Sequence, residues 1–268
     1  MASTTEAASG SAERWAPLWG ARPADWALSE DQQLPTYEEA LRRAGLRPGQ
    51  LVLDIGCGVG AFLRLIAERG ARPFGLDASE ALLDVARERV PDAELRVGEM
   101  EALLYEDDTF DLVCGFNSFF FADDIVAAVR EAGRVAKPGA RVVIQVWGPH
   151  DRNDLEAMKE IARPFLPPRP ADAPLEPDYS QPGVLEDVAA RAGLEPEQAF
   201  DVSWAYEYPD EATVRRALVA PAGLALLVGP DREEQFKDAL VEGLSRHRTS
   251  DGGYRLQNTF HCVIARAR

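Results

Sequence analysis

Asp54, Gly56, Gly58 and Gly60 stand at two-residue intervals at the end of a short apolar run, Leu51-Val52-Leu53-Asp54-Ile55-Gly56-Cys57-Gly58-Val59-Gly60. An apolar strand that ends in an acid, turns on glycines and opens into an amphipathic helix can hold a nucleotide-like molecule at the carboxyl edge of a parallel sheet. Gly56 and Gly58 allow the sharp turn and let backbone amides approach a ligand with no Cβ in the way. Gly60 lets the next helix pack close to the strand. Two further acids follow at strand ends. Asp77 suits two ribose hydroxyls, and Glu99 closes a third strand, where a carboxylate can accept from an adenine amino group.

Gly56, Gly58 and Ala61 also satisfy the dinucleotide pattern G-x-G-x-x-[GA], so a nicotinamide-dependent oxidoreductase is one candidate. Asp54 points elsewhere. Two residues before the first glycine it would repel a pyrophosphate, whereas a cationic aminoacyl sulfonium suits it. Gly60 makes the turn G-x-G-x-G, and Asp77 serves a ribose in either case.

The elements that must position these residues alternate from Leu51 onward. Strand-like runs at Leu51–Ile55, Pro73–Asp77, Ala93–Val97, Phe110–Phe116 and Arg141–Trp147 are separated by helical patterns at Gly60–Arg69, Ser79–Arg89 and Asp123–Ala136. Phe62, Leu63, Leu65 and Ile66 share one side of the first helix, a 3.6-residue period. Ser79 and Asp123-Asp124 are helix starts, and Lys137-Pro138-Gly139 stops the third helix. Such alternation predicts a parallel α/β sheet with right-handed crossovers. Residues 12–45 carry Trp15, Trp19 and Trp26, and residues 163–183 carry seven prolines, an extended loop or linker. A helix near Val184–Ala192, an extended run at Phe200–Tyr208, a helical insertion over about 210–248 and a final strand at Arg255–Ala265 complete the chain. In that strand Leu256, Phe260, Cys262 and Ile264 alternate with Gln257, Thr259 and His261.

From Leu51 to Trp147 the chain resembles the class I S-adenosylmethionine-dependent methyltransferases, small-molecule branch. Val52 to Gly60 resembles the family's first motif, and Gly75-Leu76-Asp77-Ala78-Ser79 its ribose-binding second strand. Gly98-Glu99-Met100-Glu101-Ala102-Leu103 with Asp108 to Val113 resembles the adenine loop and fourth strand, and Val135-Ala136-Lys137-Pro138-Gly139 the turn before the fifth. The family usually has Asp after Gly98; Glu99 makes the same bond with a longer reach. The resemblance implies a Rossmann-like α/β fold: a seven-stranded, mostly parallel sheet with helices on both faces and an antiparallel last strand. An N-terminal aromatic helical flap and a helical insertion would complete it. It also implies S-adenosylmethionine as cofactor. Asp54, Gly56, Cys57 and Gly58 would surround the methionine part, Asp77 and Ala78 the ribose, Glu99 and Met100 the adenine, with Asn117 beside the amino-acid portion.

Methyl transfer is an in-line displacement at a sulfonium, so a general base is needed only for a nucleophile that arrives protonated. His150, after the fifth strand, is the first candidate. His261 alternates with core residues and reads as structural, and His247, in Arg246-His247-Arg248, as solvent-facing; Tyr37 and Tyr179 are weaker candidates. Trp15, Trp19, Tyr37, Phe119, Phe120 and Trp147 are expected to line a substrate pocket, since residues leaving parallel strands at their carboxyl ends commonly do so. Flap and insertion would close an apolar chamber over a mostly apolar or aromatic small-molecule acceptor, methylated at O, N or C. Asn117-Ser118-Phe119-Phe120 lacks the prolines of base-modifying enzymes, no glutamate pair marks an arginine-directed one, and no carboxylate cluster has metal-binding spacing.

The chain has 268 residues, enough for one large domain with a real core. Its expected parts are residues 1–45 (tail and flap), 46–150 (cofactor-binding core) and 151–268 (completion of the sheet, proline-rich loop and lid), in a single domain. A formal net charge of −16 argues against nucleic-acid and anionic-membrane partners. Met1 to Ser11 has no apolar core, no window approaches the ~20 apolar residues of a membrane span, and three scattered cysteines offer neither a disulfide framework nor a metal site. A cytoplasmic protein is expected. Ala-, Arg- and Pro-rich usage suits a GC-rich bacterium and its secondary metabolism. The rival functions are another S-adenosylmethionine-using transferase or cyclase, a binder of that cofactor without turnover, and a nicotinamide-dependent oxidoreductase.

Overall fold

Strand residues alternate between two apolar layers, and this sets the architecture. In a computed structural model, which describes residues 10–168 and 177–268, Leu53, Ile55, Val113, Val142 and Ile144 point into one buried cluster and Val52, Leu112, Cys114 and Val143 into the other. The sheet comprises β1 (Leu51–Ile55), β2 (Arg72–Asp77), β3 (Glu94–Val97), β4 (Phe110–Phe116), β5 (Ala136–Trp147), β6 (Glu195–Tyr208) and β7 (Tyr254–Arg266). Their order is β3-β2-β1-β4-β5-β7-β6, with β7 antiparallel to both neighbours. The chain direction across the sheet reverses between β1 and β4, where open α/β sheets bind their ligands.

Before the sheet come α1 (Ser11–Trp19), α2 (Pro23–Glu30) and α3 (Leu34–Ala44). α4 (Ala61–Glu68), α5 (Glu80–Arg89) and α6 (Ile125–Val135) connect the parallel strands, and α7 (Ala157–Ala162) and α8 (Val184–Arg191) follow β5. The insertion between β6 and β7 contains α9 (Glu211–Ala217), α10 (Leu224–Val228) and α11 (Glu233–Gly243). Tyr37, Leu41, Phe62, Ile66 and Leu83 cover one face of the sheet; Val126, Val129, Leu185 and Val188 cover the other. The insertion has its own apolar cluster, in which Phe236 and Leu240 meet Tyr206, Tyr208 and Phe260 of β6 and β7. Helix starts follow the sequence: Ser79 Oγ accepts from Leu82 N–H at 3.4 Å, and Asp124 Oδ1 from Val126 N–H at 2.8 Å.

Two strands begin earlier than their apolar patterns indicate. α6 ends at Val135, but β5 starts at once, so Lys137-Pro138-Gly139 lies inside the strand's first residues rather than in a turn before Arg141. Its pairing with β4 shifts between Phe110 and Leu112, and Gly139 has φ +79°. β6 starts at Glu195, not Phe200. This outer strand tolerates Pro196, and Glu197 is held by Arg141 at 3.0 Å and by Arg266. Of the proline-rich stretch 163–183, residues 169–176 lie outside the described part, as do residues 1–9 of the N-terminal tail. Among the described residues no helix is long and apolar enough to cross a membrane.

Candidate active site

Gly56, Gly58 and Gly60 have φ of +77°, +54° and +84°, a run of left-handed backbone that favours glycine. A Cβ at Gly56 would lie 2.4 Å from Ser118 Cβ, and one at Gly58 would lie 2.3 Å from Glu30 Oε2. The turn is braced by the acid of the second strand. Asp77 Oδ2 accepts from Gly58 N–H at 2.9 Å and Oδ1 from Ser79 N–H at 2.8 Å. Asp54 is buried and its Oδ1 has no partner among the described residues. Burial raises the carboxyl pKa of Asp54 well above the ordinary range, and the nearby Glu30 and Asp77 charges add to it. Asp77 is raised by burial too, opposed by its backbone N–H donors.

Three side-chain ties fasten the N-terminal segment to this edge, and two of them land on residues expected to meet the cofactor, Asn117 and Glu99. At the turn, Glu30 accepts from Val59 N–H at 2.9 Å, Ala61 N–H at 2.8 Å and Trp26 Nε1–H at 2.7 Å. At the end of β4, Asn117 Nδ2 donates to Gln33 Oε1 at 2.9 Å, while Asn117 holds φ +54° and its buried Oδ1 has no partner among the described residues. Beyond β3, Glu99 accepts from Ser11 Oγ at 2.8 Å and from Ala12 N–H at 2.8 Å, so it caps the start of α1. Glu30 is 4% exposed; burial pushes its pKa up to about 7 against the pull of those N–H groups and of Arg89. Glu30, Gln33 and Ser11 escape sequence reasoning, because single polar residues in an amphipathic helix look like its solvent face.

A cavity of about 690 Å³ runs along these groups. Asp54, Gly56, Cys57, Gly58, Asp77, Ala78, Glu99, Met100 and Asn117 all line it, as do Trp15, Trp19, Tyr37, Phe120, Trp147 and His150. Trp15 and Trp19 pack edge-on against Phe121 at 4.7 and 5.5 Å, and Trp147 lies 4.8 Å from Phe260. Tyr37 packs between Phe116 and Phe62 at 4.5 and 5.6 Å. Phe119 is the exception. Its ring is fully buried beneath Gly115, where it fills the space a Cβ would take, and Phe121 lines the chamber instead. Tyr206 of β6, absent from the sequence expectations, also lines the cavity, with its hydroxyl buried and unpartnered among the described residues.

His150 sits at the rim with its side chain 58% exposed, Nδ1 3.1 Å from Glu156 Oε2 and Nε2 3.8 Å from Asp178 Oδ2. Tyr179 also lines the cavity. His261 is buried on β7 with Nδ1 2.9 Å from Asp201, away from the cavity. His247 is not solvent-facing: its side chain is 11% exposed and lies 3.3 Å from Asp154, and burial lowers its pKa. The three cysteines are buried and unpaired.

The donor set favours a cation. Among the described cavity residues the turn is surrounded by Glu30, Asp54 and Asp77, and no arginine lines the wall. A buried carboxylate oxygen without a partner calls for a positively charged or hydrogen-donating ligand and opposes a pyrophosphate.

A family model described as a methyltransferase domain matches residues 53–144. The malonyl-[acyl-carrier protein] O-methyltransferase of Serratia marcescens is 34% identical over 106 residues, 40% of this chain and 42% of that protein. A probable tocopherol O-methyltransferase of Oryza sativa subsp. japonica is 30% identical over 186 residues, 64% of this chain and 51% of its own. The match thus spans about half or less of each relative's length. Among solved structures, a Haloferax volcanii protein in complex with the Trm112 methyltransferase activator superposes with a TM-score of 0.61 at 21% identity, covering 94% of this chain and 97% of that one, a likeness of fold.

Proposed function

Because the chain carries a class I S-adenosylmethionine-dependent methyltransferase domain, we propose that the whole protein transfers a methyl group to O, N or C of a mostly apolar small molecule. The observation that carries the proposal is the cluster of Glu30, Asp54 and Asp77 around the glycine turn, with an unpartnered Asp54 oxygen. It fits the ammonium and sulfonium of this cofactor and disfavours a dinucleotide. Asp77 would take the ribose hydroxyls, Glu99 and Met100 the adenine, and Asn117, with its free Oδ1, the ammonium. When bound, the cofactor supplies a methyl group on a sulfonium sulfur.

The chain's own residues then align and enclose. Holding nucleophile and methyl in line can supply about 7–11 kcal/mol of the barrier. Trp15, Trp19, Phe121, Trp147 and Tyr206 give the cavity an aromatic lining, a surface that water solvates poorly. His150, its ring steadied through Nδ1 by Glu156, is the residue we assign as general base where the nucleophile arrives protonated. That step would move the proton from the acceptor to the imidazole as the carbon–sulfur bond breaks.

The test is a calorimetric titration with S-adenosylmethionine, S-adenosylhomocysteine and NAD in turn. One-to-one binding of the sulfur compounds alone supports the assignment; binding of NAD alone overturns it. Release of S-adenosylhomocysteine on incubation with small-molecule extracts then separates a transferase from a binder without turnover. His150→Ala should cut that release while leaving cofactor affinity unchanged, and undiminished turnover would remove His150 from the mechanism.

A further inference from the structure

The chamber holds a polar group that the mechanism above leaves unused. Tyr206 lies two residues before the end of β6, and β6 runs parallel to β5 because both are antiparallel to β7. It therefore stands at the same carboxyl edge of the sheet as the glycine turn. The residue is 2% exposed, with its ring centroid 6.3 Å from that of Trp147 and stacked on Phe260 at 6.2 Å. Among the described residues Tyr105, Tyr206 and Tyr254 bury hydroxyls without a partner, and of these three only Tyr206 lines the cavity. Tyr208, on the same face of β6, supplies the contrast: its hydroxyl is bonded to Ser29 Oγ at 3.0 Å. A buried hydroxyl with nothing to bond is unfavourable until a ligand atom completes it. The ring packing fixes where that atom must sit, so only the hydroxyl hydrogen has to turn. Burial holds the Tyr206 pKa well above the ordinary tyrosine range, with Tyr208 and Glu30 adding to it, so the group is a neutral donor at pH 7. A charge on Glu30 also opposes an anionic oxygen there.

Resting on the methyltransferase assignment above, we propose that the Tyr206 hydroxyl donates a hydrogen bond to an uncharged oxygen of the acceptor and so orients it in the chamber. The acceptor is thus an apolar molecule that carries a ketone, ester, ether or hydroxyl oxygen. Tyr206 keeps its proton throughout and acts by holding the acceptor, not by moving a proton.

The experiment titrates S-adenosylhomocysteine first, and then two probes of one shape into protein saturated with it. 2-Acetylnaphthalene has a ketone oxygen; 2-isopropenylnaphthalene has a methylene group in its place. Each Kd is measured in the parent protein and in Y206F. The ketone should bind Y206F about three- to tenfold more weakly, the contribution of one neutral hydrogen bond, and the hydrocarbon should bind it equally well or better. The ligand-free Tm of Y206F should match or exceed that of the parent, because phenylalanine keeps the ring packing and removes an unpaired hydroxyl. Equal changes for the two probes, or an unchanged Kd for the ketone, would overturn the proposal. So would a lower ligand-free Tm, which would show that the hydroxyl already serves the fold. Failure of both probes while S-adenosylhomocysteine binds would remove the chamber as the acceptor site. Failure of S-adenosylhomocysteine itself would take down the cofactor assignment first, and this inference with it.

Discussion

A carboxylate buried away from water costs several kcal/mol unless a countercharge, a ligand or a proton relieves it, and three buried acids meet at the glycine turn. Asp77 accepts from the Gly58 and Ser79 N–H groups in the free protein, so its removal should loosen the turn and also strand two ribose hydroxyls. Asp77→Ala is expected to weaken S-adenosylmethionine binding by about 1–3 kcal/mol, read by calorimetry; unchanged affinity would show the ribose lies elsewhere. Glu30 yields a pH dependence with a definite sign. With its pKa raised to about 7, it is largely protonated in the free protein below that pH. A cation bound beside it favours the carboxylate, so binding must expel the proton. Affinity should therefore climb from pH 5.5 to 7.5, and titrations in buffers of different ionisation enthalpy should register the released proton. A flat profile would mean that Glu30 does not sense the ligand. Asp77 and Asp54 were legible in the sequence because acids at strand ends have few other uses. Glu30 was not, since nothing in Ser29-Glu30-Asp31 distinguishes a buried acid from a helix-surface one.

Elements explain why those residues were hidden. The parallel core from β1 to β5 could be read almost strand by strand, because each run is apolar and bounded by turn or capping residues. The tryptophans marked residues 12–45 as a flap, and α1 to α3 do cover the cavity edge. What pattern alone could not give is the register of that flap, which depends on contacts between residues far apart in sequence: Ser11 with Glu99, Glu30 with Val59 and Ala61, Gln33 with Asn117. The early start of β6 was hidden for a related reason, since an outer strand needs no apolar alternation where ion pairs line it. Phe119 does not line the chamber because three successive phenylalanines leave β4 in a helical turn that sends the first one inward beneath Gly115. The flap's dependence on Glu99 is testable. Glu99→Ala removes the acceptor for Ser11 Oγ and Ala12 N–H, so α1 should lift from the chamber. Tryptophan emission from Trp15 and Trp19 should shift to the red, and cleavage by protease within residues 10–22 should accelerate. Emission and cleavage identical to the parent protein would mean that the aromatic packing on Phe121 alone seats the helix.

At the scale of the whole molecule, flap and insertion meet. Gly223, between α9 and α10, has φ +70°, and a Cβ there would lie 2.8 Å from Leu18 Cβ and 2.9 Å from its Cα. Two covers that arise some 200 residues apart in the chain therefore touch at a point with no room for a side chain, while the cofactor edge and the acceptor chamber lie beneath them. If they close as one unit, ligand binding is felt by the whole fold. S-adenosylmethionine at one hundred times its Kd should add about 2.7 kcal/mol of stability, a rise in Tm of about 5 °C for a chain of this size. Gly223→Val drives a branched side chain into Leu18 and strains the backbone at a positive φ, so the free protein should melt lower. It should also hold the covers apart, raising the Kd and shrinking the ligand-induced rise at fixed cofactor concentration. Adding Leu18→Ala removes only the Cδ2 contact, because alanine keeps the Cβ and Cα that lie 2.8 and 2.9 Å from the new Cβ. The double variant should thus regain little of the ligand-induced rise, and its ligand-free Tm should stay low. A Gly223→Val variant that keeps the full rise would mean that the flap closes over the cofactor without help from the insertion, and that the contact at Leu18 only holds the free protein together.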